Sequence, residues 1–296
     1  MKDILLRRRN LLICKQEKNI RAVCFEADGE QTVAITKVGS APAITMQYSY
    51  DGVNWESWDL TPLPFGGDTK VYVRGVNNAY LGVNNKTFNY ITFGTDAFVY
   101  VSGVAESLLD GENEVLTYNY TGILRNLFYQ QTALRSAERL RFEAMSVSIN
   151  KLAVYAYMFY GCTNLLFAPK SISLATPYAC SNMFNGCTNL VTAPELPAKY
   201  VERYCYQRMF FGCSSLVNAP ELPAETLTEY CYDVMFAYCV AIKTIRCRAK
   251  SGISSATNYW LEKASNSGTF YGHSEYGWAS GTSGIPSGWE FVELTD

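Results

Sequence analysis

Histidine is almost absent from this chain, since His273 is the one histidine among 296 residues. Most histidine-dependent chemistry is therefore excluded, including an HExxH zinc site and a relay between two histidines. No apolar run approaches the ~20 residues that a membrane-spanning helix needs, so we predict no membrane span. Charge of neither sign is in excess, because 25 basic and 27 acidic residues give a formal net charge of −2. This balance gives no general attraction to nucleic acid, and we predict none as a partner.

The ten cysteines contain no CxxC pair of the kind typical of a structural zinc site. Seven of them recur in two slots of a repeat, namely Cys162, Cys187, Cys213 and Cys239 in one slot and Cys180, Cys205 and Cys231 in the other. Copies on neighbouring coils about 4.7–4.9 Å apart would be within disulfide reach, so the spacing leaves bridges open. We expect instead buried free thiols that fill small apolar spaces, and we predict no metal and no other cofactor.

The remaining candidates for chemistry form no recognisable catalytic set. His273 stands beside Ser274 and Glu275, but adjacent residues rarely converge as a triad and no G-x-S-x-G elbow is present. We expect His273 to be an exposed loop residue. Glu195 and Glu221 recur in a turn of the repeat, whereas a glycosidase pair needs a closed cleft. We therefore predict that the protein is not an enzyme.

The chain is organised around a repeat. It starts at Met158, Met183 and Met209 as MFYGCTNLLFAP, MFNGCTNLVTAP and MFFGCSSLVNAP, and returns in decayed form at Met235 as MFAYCVAIKTIR. The phenylalanines of the four copies are separated by 25, 26 and 26 residues, and such a period predicts stacked supersecondary units. Stacking would bury the residues that the copies share. The predicted repeat core consists of Phe159, Phe184, Phe210, Phe236, Cys162, Cys187, Cys213, Cys239, Leu165, Leu190 and Leu216.

Each repeat unit is predicted to hold a short strand near NLVTAP (189–194), a turn at 195–197 and a helical turn near CYQRMF (205–210). If the shared residues are buried, recognition should depend on the slots where the copies differ. These variable slots are Tyr160, Asn185, Phe211, Phe167, Thr192 and Asn218.

Flanking segments complete the repeat region. A longer, degenerate copy is predicted at 126–134, with Phe128 in the phenylalanine slot. After the repeats, SATNYWLEKA (255–264) is predicted as a short helix and WEFVEL (289–294) as a closing strand. Atypical terminal copies are expected, because they close the stack.

Residues 20–100 have a different character. Five segments alternate apolar and polar residues, and turn signals such as Asp-Gly and Asn-Asn separate them. Short strands at this spacing predict a small antiparallel β-sandwich. The predicted strands are 21–27, 32–38, 44–50, 70–76 and 88–94.

Two tryptophans of this region, Trp55 and Trp58, follow an Asp-Gly hairpin turn. Their rings are candidates for a sugar-stacking face, although we favour a core position for at least one of them. The leader at 1–20 is basic, and Arg7, Arg8 and Arg9 interrupt the apolar run that a cleaved signal needs. It could be an amphipathic anchor helix, an arm that docks on a partner, or a solvated segment.

The motif MF-x-GC-[TS]-[NS]-L-x-x-AP, followed by ELPA, resembles the leucine-rich repeats of the BspA type. The tail, with GTFYG at 268–272 and GIPSGW at 284–289, resembles the closing cap of the same proteins. The resemblance covers residues 103–296. It implies a leucine-rich-repeat solenoid, and it implies roles in adhesion, in contact with host proteins or glycans, and on virion surfaces of phages that infect Bacteroides-group bacteria.

We therefore predict an α+β, mainly β, fold. An N-terminal antiparallel β-sandwich would be followed by a leucine-rich-repeat solenoid of about 25–26 residues per repeat and a C-terminal cap. The predicted divisions are a leader or anchor at 1–20, the sandwich at 21–102, the solenoid at 103–250 and the cap at 251–296.

The predicted function is that of a non-enzymatic phage virion structural protein, fibre- or spike-like. Residues 1–100 would contact other virion proteins, and the repeats would contact a host-surface protein or glycan. We predict a homo-oligomer on the virion surface. The alternative is a secreted or surface-anchored bacterial adhesin, and a glycan-active enzyme is a third, weaker alternative because no catalytic set emerges.

Overall fold

The computed structural model describes residues 20–84, 86–94, 97–111, 122–143 and 152–295. Residues 1–19 of the predicted leader lie outside these ranges, and the predictions of an anchor helix or a docking arm fall outside with them. Within the described ranges, no helix has the length and apolar character that crossing a membrane requires.

β-Strands dominate the regular structure. In chain order they are β1 (Val23–Ala27), β2 (Gln31–Val38), β3 (Met46–Ser49), β4 (Glu56–Trp58), β5 (Leu63–Phe65), β6 (Val71–Gly75), β7 (Gly82–Asn84), β8 (Thr87–Phe93), β9 (Val99–Val104), β10 (Leu134–Arg141), β11 (Thr244–Arg246), β12 (Gly268–Gly272) and β13 (Trp289–Glu293). Short 3-10 helices span Ala105–Leu108 and Ser274–Tyr276, and α-helix α1 spans Ile253–Ala256.

Strands β1 to β10 form two sheets whose inner faces share a core. The larger sheet has the strand order β10–β9–β1–β6–β3–β4, and the smaller has the order β5–β2–β8–β7. Phe25 of β1 contacts Phe65 of β5 and Phe93 of β8, with ring centroids 6.3 and 5.3 Å apart. The five predicted strands are confirmed, because β1, β2, β3, β6 and β8 coincide with the five alternating segments.

The larger sheet is not purely antiparallel, which corrects the predicted sandwich. β10 pairs in parallel with β9, with Leu134 opposite Val99 and Arg141 opposite Val104. A parallel pair needs a crossover connection, and here the crossover includes the first 3-10 helix and residues 122–131. The region assigned to the repeats therefore supplies one strand of the sheet.

The repeats fold into layers of successive turns. The N–H groups of Tyr155 and Tyr157 donate to the carbonyls of Ala179 and Ser181 in the next layer, whereas the N–H of Met158 donates to the carbonyl of Tyr155 within its own layer. This alternation gives the backbone N–H and C=O groups hydrogen-bond partners, although the segments form neither a helix nor a continuous β-ladder. We call these segments turn layers, and the described ones are 122–131, 153–162, 178–187, 204–213, 230–239 and 255–264.

The turn layers contradict the predicted conformation of the repeat. Tyr204 and Arg208 have φ angles of +57° and +52°, in the left-handed region, so the helical turn predicted at 205–210 does not form. The strand predicted at 189–194 is reduced to an isolated bridge between Phe167 and Thr192.

The predicted fold class is therefore wrong. A leucine-rich repeat supplies a strand and a helical segment from each unit, whereas the described copies at the two ends contribute the strands β10 and β11 and the described inner copies have isolated bridges and no helix. Among the described residues the one α-helix is α1, which has four residues, so the α+β class does not apply. The mainly-β part of the prediction agrees with the strands.

One row of aromatic rings runs through the core. Phe93 of β8 stacks on Phe128 in the first turn layer at 6.4 Å, and Phe128 stacks on Phe159 at 5.4 Å. The row continues from there, with centroids 5.3, 5.6 and 5.5 Å apart, through Phe184, Phe210 and Phe236. The two sheets thus close one end of the stack. The predicted degenerate copy around Phe128 is confirmed as part of the row.

Three parallel strands close the other end of the stack, in the order β11–β12–β13. Strand β13 confirms the closing strand predicted at 289–294. The helix predicted at 255–264 is wrong, because Tyr259 and Lys263 have φ angles of +47° and +51° and the segment forms a turn layer. The indole of Trp260 in this layer packs against Phe270 of β12.

Candidate recognition surface

The cysteines of the MF-x-GC motif serve the packing between layers. Each thiol donates a hydrogen bond to the backbone carbonyl of a phenylalanine in the preceding layer. Cys162, Cys187, Cys213 and Cys239 reach Phe128, Phe159, Phe184 and Phe210 in turn, at 3.0, 3.1, 3.2 and 3.0 Å. A small side chain with a weak donor therefore suits this slot.

Burial makes the thiols poor nucleophiles and poor metal ligands. The nine described cysteines are free and buried. Burial raises the thiol pKa to about 12 at Cys162, Cys231, Cys239 and Cys247, and the thiolate is the reactive form. The described residues also hold no group of three or more His, Cys, Asp or Glu side chains that could bind a metal ion.

Labelling with the thiol reagent DTNB should show this burial. In the native protein we expect the nine described cysteines to stay unlabelled over hours, whereas all ten cysteines of the chain should react in guanidinium. The released chromophore counts the accessible thiols. Rapid labelling of several cysteines while the circular dichroism spectrum stays native would contradict the packing described here.

His273 is buried, which corrects the expectation of an exposed loop residue. The residue directly follows β12, and its Nδ1 lies 3.8 Å from Oε1 of Glu293 in β13. Glu293 also accepts the backbone N–H of Ser274 at 3.1 Å. Strand pairing in the cap brings Glu293 to this histidine, whereas the sequence neighbour Glu275 is exposed.

The structure separates the two tryptophans predicted as a sugar-stacking face. Trp58 is 6% exposed and lies in the core opposite Met46, and its Nε1–H donates to the carbonyl of Thr61. The favoured core position for at least one of the two tryptophans is therefore confirmed at Trp58, and the assignment of Trp58 to a recognition surface is wrong. Trp55 is half-buried, and the guanidinium of Arg74 lies 4.1 Å from its ring centroid, so one face of the ring is already covered.

Three of the variable residues, Tyr160, Asn185 and Phe211, occupy equivalent positions in three successive turn layers. We call such a set of equivalent positions a column. All three side chains are half-buried. Tyr160 stacks on Tyr129 of the preceding layer at 5.3 Å, and Phe211 contacts Tyr238 at 5.1 Å. The column therefore lies within a larger group of aromatic side chains.

The other variable residues follow a second column, seven residues further along each copy. Phe167 is half-buried, and Thr192 and Asn218 are exposed. Isolated bridges pair Phe167 with Thr192 and Asn218 with Thr244. The predicted recognition residues of the repeats are thus divided between two columns.

Cations flank the first column at both ends. Arg125 lies 4.8 Å from the ring centroid of Tyr157, which contacts Tyr160 at 5.6 Å. Lys263 lies 5.1 Å from the ring centroid of Tyr238 and donates to its hydroxyl. The carbonyl of Arg208 accepts the backbone N–H of Phe211, and its side chain is exposed. We call this surface the aromatic face, and it consists of Tyr129, Tyr157, Tyr160, Asn185, Phe211 and Tyr238 with the cations Arg125, Arg208 and Lys263.

A second aromatic group was not predicted. Tyr178, Tyr204 and Tyr230 stack with centroids 4.6 and 5.0 Å apart, and we call them the tyrosine row. Arg203 lies over Tyr204 and forms an ion pair with Glu229 at 3.2 Å. The signal was present, because the three tyrosines are 26 residues apart. Their ring faces cover one another, so few faces remain for a ligand.

A buried carboxyl, Glu106, joins the sheets to the stack. Its Oε1 accepts the hydroxyl of Tyr155 at 2.6 Å, and its Oε2 accepts the backbone N–H of Glu143 at 3.1 Å. Burial raises the pKa of Glu106 from its ordinary value of 4.5 to about 7, and the two hydrogen bonds offset part of the rise. Sequence reasoning missed this residue, because its environment is assembled from three separate segments.

Comparison with known proteins adds no relative. No protein-family model, no curated protein and no solved structure matches the chain. The resemblance of the repeat motif to BspA-type repeats therefore stays a prediction.

Proposed function

We propose that the protein is a non-enzymatic structural component of a phage virion, fibre- or spike-like, that presents the aromatic face to the host-cell surface. The observation that carries this proposal is the division between constant and variable columns. Phe159 and Phe184 are identical and fully buried, whereas the adjacent Tyr160 and Asn185 differ and are half-exposed. A scaffold with a constant core and changing outer side chains suits recognition.

The N-terminal region is proposed as the part that contacts other virion proteins. Its support is the contact between Phe93 and Phe128, which makes the sheets and the turn layers share one core. A recognition surface on the turn layers would then be rigidly connected to the N-terminal sheets that contact the other virion proteins. We also propose that the protein assembles as a homo-oligomer, with the repeat motif's resemblance to surface-protein repeats as supporting sequence evidence.

The test is the location of the protein. Phage particles whose genome encodes this sequence would be purified on a density gradient and analysed by mass spectrometry and by immunogold labelling. We expect to find the protein in the particles. Its copy number per particle should be a multiple of the number of subunits in a symmetric oligomer. Its absence from particles, together with its removal by protease from intact uninfected cells, would reject the virion assignment and support the adhesin.

A further inference from the structure

We infer that the aromatic face binds a linear acidic polysaccharide of the host surface. The inference rests on the proposed function and names the chemical class of its ligand. Three features of the face carry it. These are a notch that fits one sugar ring, cations spaced for a polymer, and few competing carboxylates.

The notch lies between Tyr160 and Phe211, which belong to turn layers two steps apart. The layer between them carries Asn185 in the same column and Gly186 beside it, so neither position supplies a ring. Adjacent rings of the buried row are 5.3 and 5.6 Å apart, and a ring held midway in the notch would be within the roughly 4.5–7 Å typical of stacked rings. A pyranose offers C–H groups on both faces. At the base, the Nδ2 of Asn185 donates to Oδ1 of Asn182 at 2.8 Å, and its Oδ1 is the acceptor for a sugar hydroxyl.

The cations are spaced along the stack at distances that a polymer can bridge. Arg125 lies in the first turn layer, Arg208 in the fourth and Lys263 in the sixth. Because successive layers are separated by about one ring spacing of 5.3–5.6 Å, no single monosaccharide contacts both arginines. A linear polysaccharide with a carboxylate on successive sugars would meet each cation, and guanidinium groups bind carboxylates through two hydrogen bonds.

Acidic side chains are few on this face. In the turn-layer columns that carry it, the described carboxylates are Asp233 and Glu262. Asp233 is buried, and its two oxygens accept hydrogen bonds from Gln207 and Asn258 at 2.9 and 3.1 Å. Glu262 is half-buried beside Lys263 and interacts with it electrostatically. Three cations and two carboxylates leave the face with an excess of one positive charge although the whole chain has a net charge of −2, and charge complementarity favours an anionic ligand.

The binding experiment uses the full-length protein and three probes, namely polygalacturonate, alginate and hyaluronan, each beside its carboxyl-reduced form. We expect at least one of them to bind. Carboxyl reduction should weaken that binding by about tenfold or more, because charge-assisted hydrogen bonds are lost. Added salt should weaken binding of the acidic polymer but not binding of its carboxyl-reduced form.

Two variants and one matched control locate the site. Arg208→Ala and Phe211→Ala should each lower the affinity by about tenfold, through a lost ion pair and a lost wall of the notch. Arg203→Ala is the control, since Arg203 is also an exposed arginine, directly before the fourth turn layer, but it lies over Tyr204 of the tyrosine row. It should leave the affinity unchanged. Arg208 is exposed, so its replacement tests the site without disturbing the core.

The ligand class is rejected if none of the polymers binds, if reduced forms bind equally well, or if Arg203→Ala weakens binding as much as Arg208→Ala. A particle assay separates this failure from failure of the proposed function. Virions that adhere to host cells equally with wild-type and Arg208→Ala protein would keep the function and reject this ligand. Absence of the protein from virions would reject the function whatever the polysaccharide result.

Discussion

Replacing Phe210 with alanine should lower the free energy of unfolding by about 3–5 kcal/mol. Phe210 is fully buried and stacks on Phe184 and Phe236 at 5.6 and 5.5 Å. Alanine would remove both ring contacts and leave a cavity between turn layers. The layers cannot collapse into it easily, because the backbone N–H of Phe210 donates to Met235 and fixes the spacing. The loss should therefore lie near the upper part of the range for such substitutions.

Urea unfolding followed by far-UV circular dichroism and by tryptophan fluorescence measures this loss. Both probes should shift together, because one cluster of buried side chains extends from the sheets to the cap. Tyr200→Ala is the control, since Tyr200 is 87% exposed and its loss should change stability by less than about 0.5 kcal/mol. A loss below about 1 kcal/mol, or a shift in one probe alone, would show that the turn layers unfold apart from the sheets.

The ring row could be predicted from the sequence, because its period of 25 or 26 residues is visible without any structure. The conformation that carries the row could not. Tyr178, Asn182 and Gly186 have positive φ angles at every fourth residue of one layer. Glycine and, less strongly, asparagine favour this region, whereas the tyrosine gives no sequence signal of it. The hydrogen bonds between layers hold the tyrosine and asparagine there, and those bonds exist only after stacking.

The predicted slot shared by Cys180, Cys205 and Cys231 is also corrected by the hydrogen bonds, which make Cys205 equivalent to Cys231 but not to Cys180. Cys180 donates its N–H to the next layer, and in that layer the equivalent donor is Tyr206 rather than Cys205. Counting from methionine reveals this, since Cys180 precedes Met183 by three residues as Tyr206 precedes Met209. The added residue after Cys205 shifts the register, so a pattern read from cysteines alone was misleading.

The aromatic face was predictable only in part. Differences among the clear copies point to Tyr160, Asn185 and Phe211. The flanking cations Arg125 and Lys263 belong to degenerate layers whose sequence no longer matches the motif, and only the hydrogen-bond ladder aligns them with the others. A surface built from columns is therefore visible in sequence where the copies are clear, and it requires the structure where they have diverged.

Glu106→Gln should stabilise the protein above neutral pH by about 3 kcal/mol and should have little effect in acid. Burial raises the pKa of Glu106 from 4.5 to about 7, so the folded protein keeps a proton that the unfolded chain releases. Well below pH 4.5 both states are protonated and burial of the group carries no ionisation cost. As pH rises from 4.5 to about 7 the unfolded state is favoured, and above about 7 the full cost is present.

Glutamine suits this test because it copies the protonated carboxyl. Its Nε2 can donate to the hydroxyl of Tyr155 while its Oε1 accepts the N–H of Glu143, which preserves both contacts. Urea unfolding of the wild type and of Glu106→Gln across pH 4 to 8 gives the difference in unfolding free energy. That difference should grow with pH, and parallel curves would contradict a titrating carboxyl at this position.

Tyr155→Phe gives an independent check on the cause. The hydroxyl of Tyr155 donates to the carboxylate and offsets part of the effect of burial, so its removal should raise the pKa of Glu106 further. The pH-dependent fall in stability should then extend to higher pH. Tyr206→Phe is the control, since Tyr206 is a buried tyrosine of the same column two layers further from Glu106.

Because Glu106 follows β9 and Tyr155 lies in the second turn layer, ionisation of Glu106 places a charge between the sheets and the stack. The pH-dependent loss of unfolding free energy should therefore appear in the single cooperative unfolding transition.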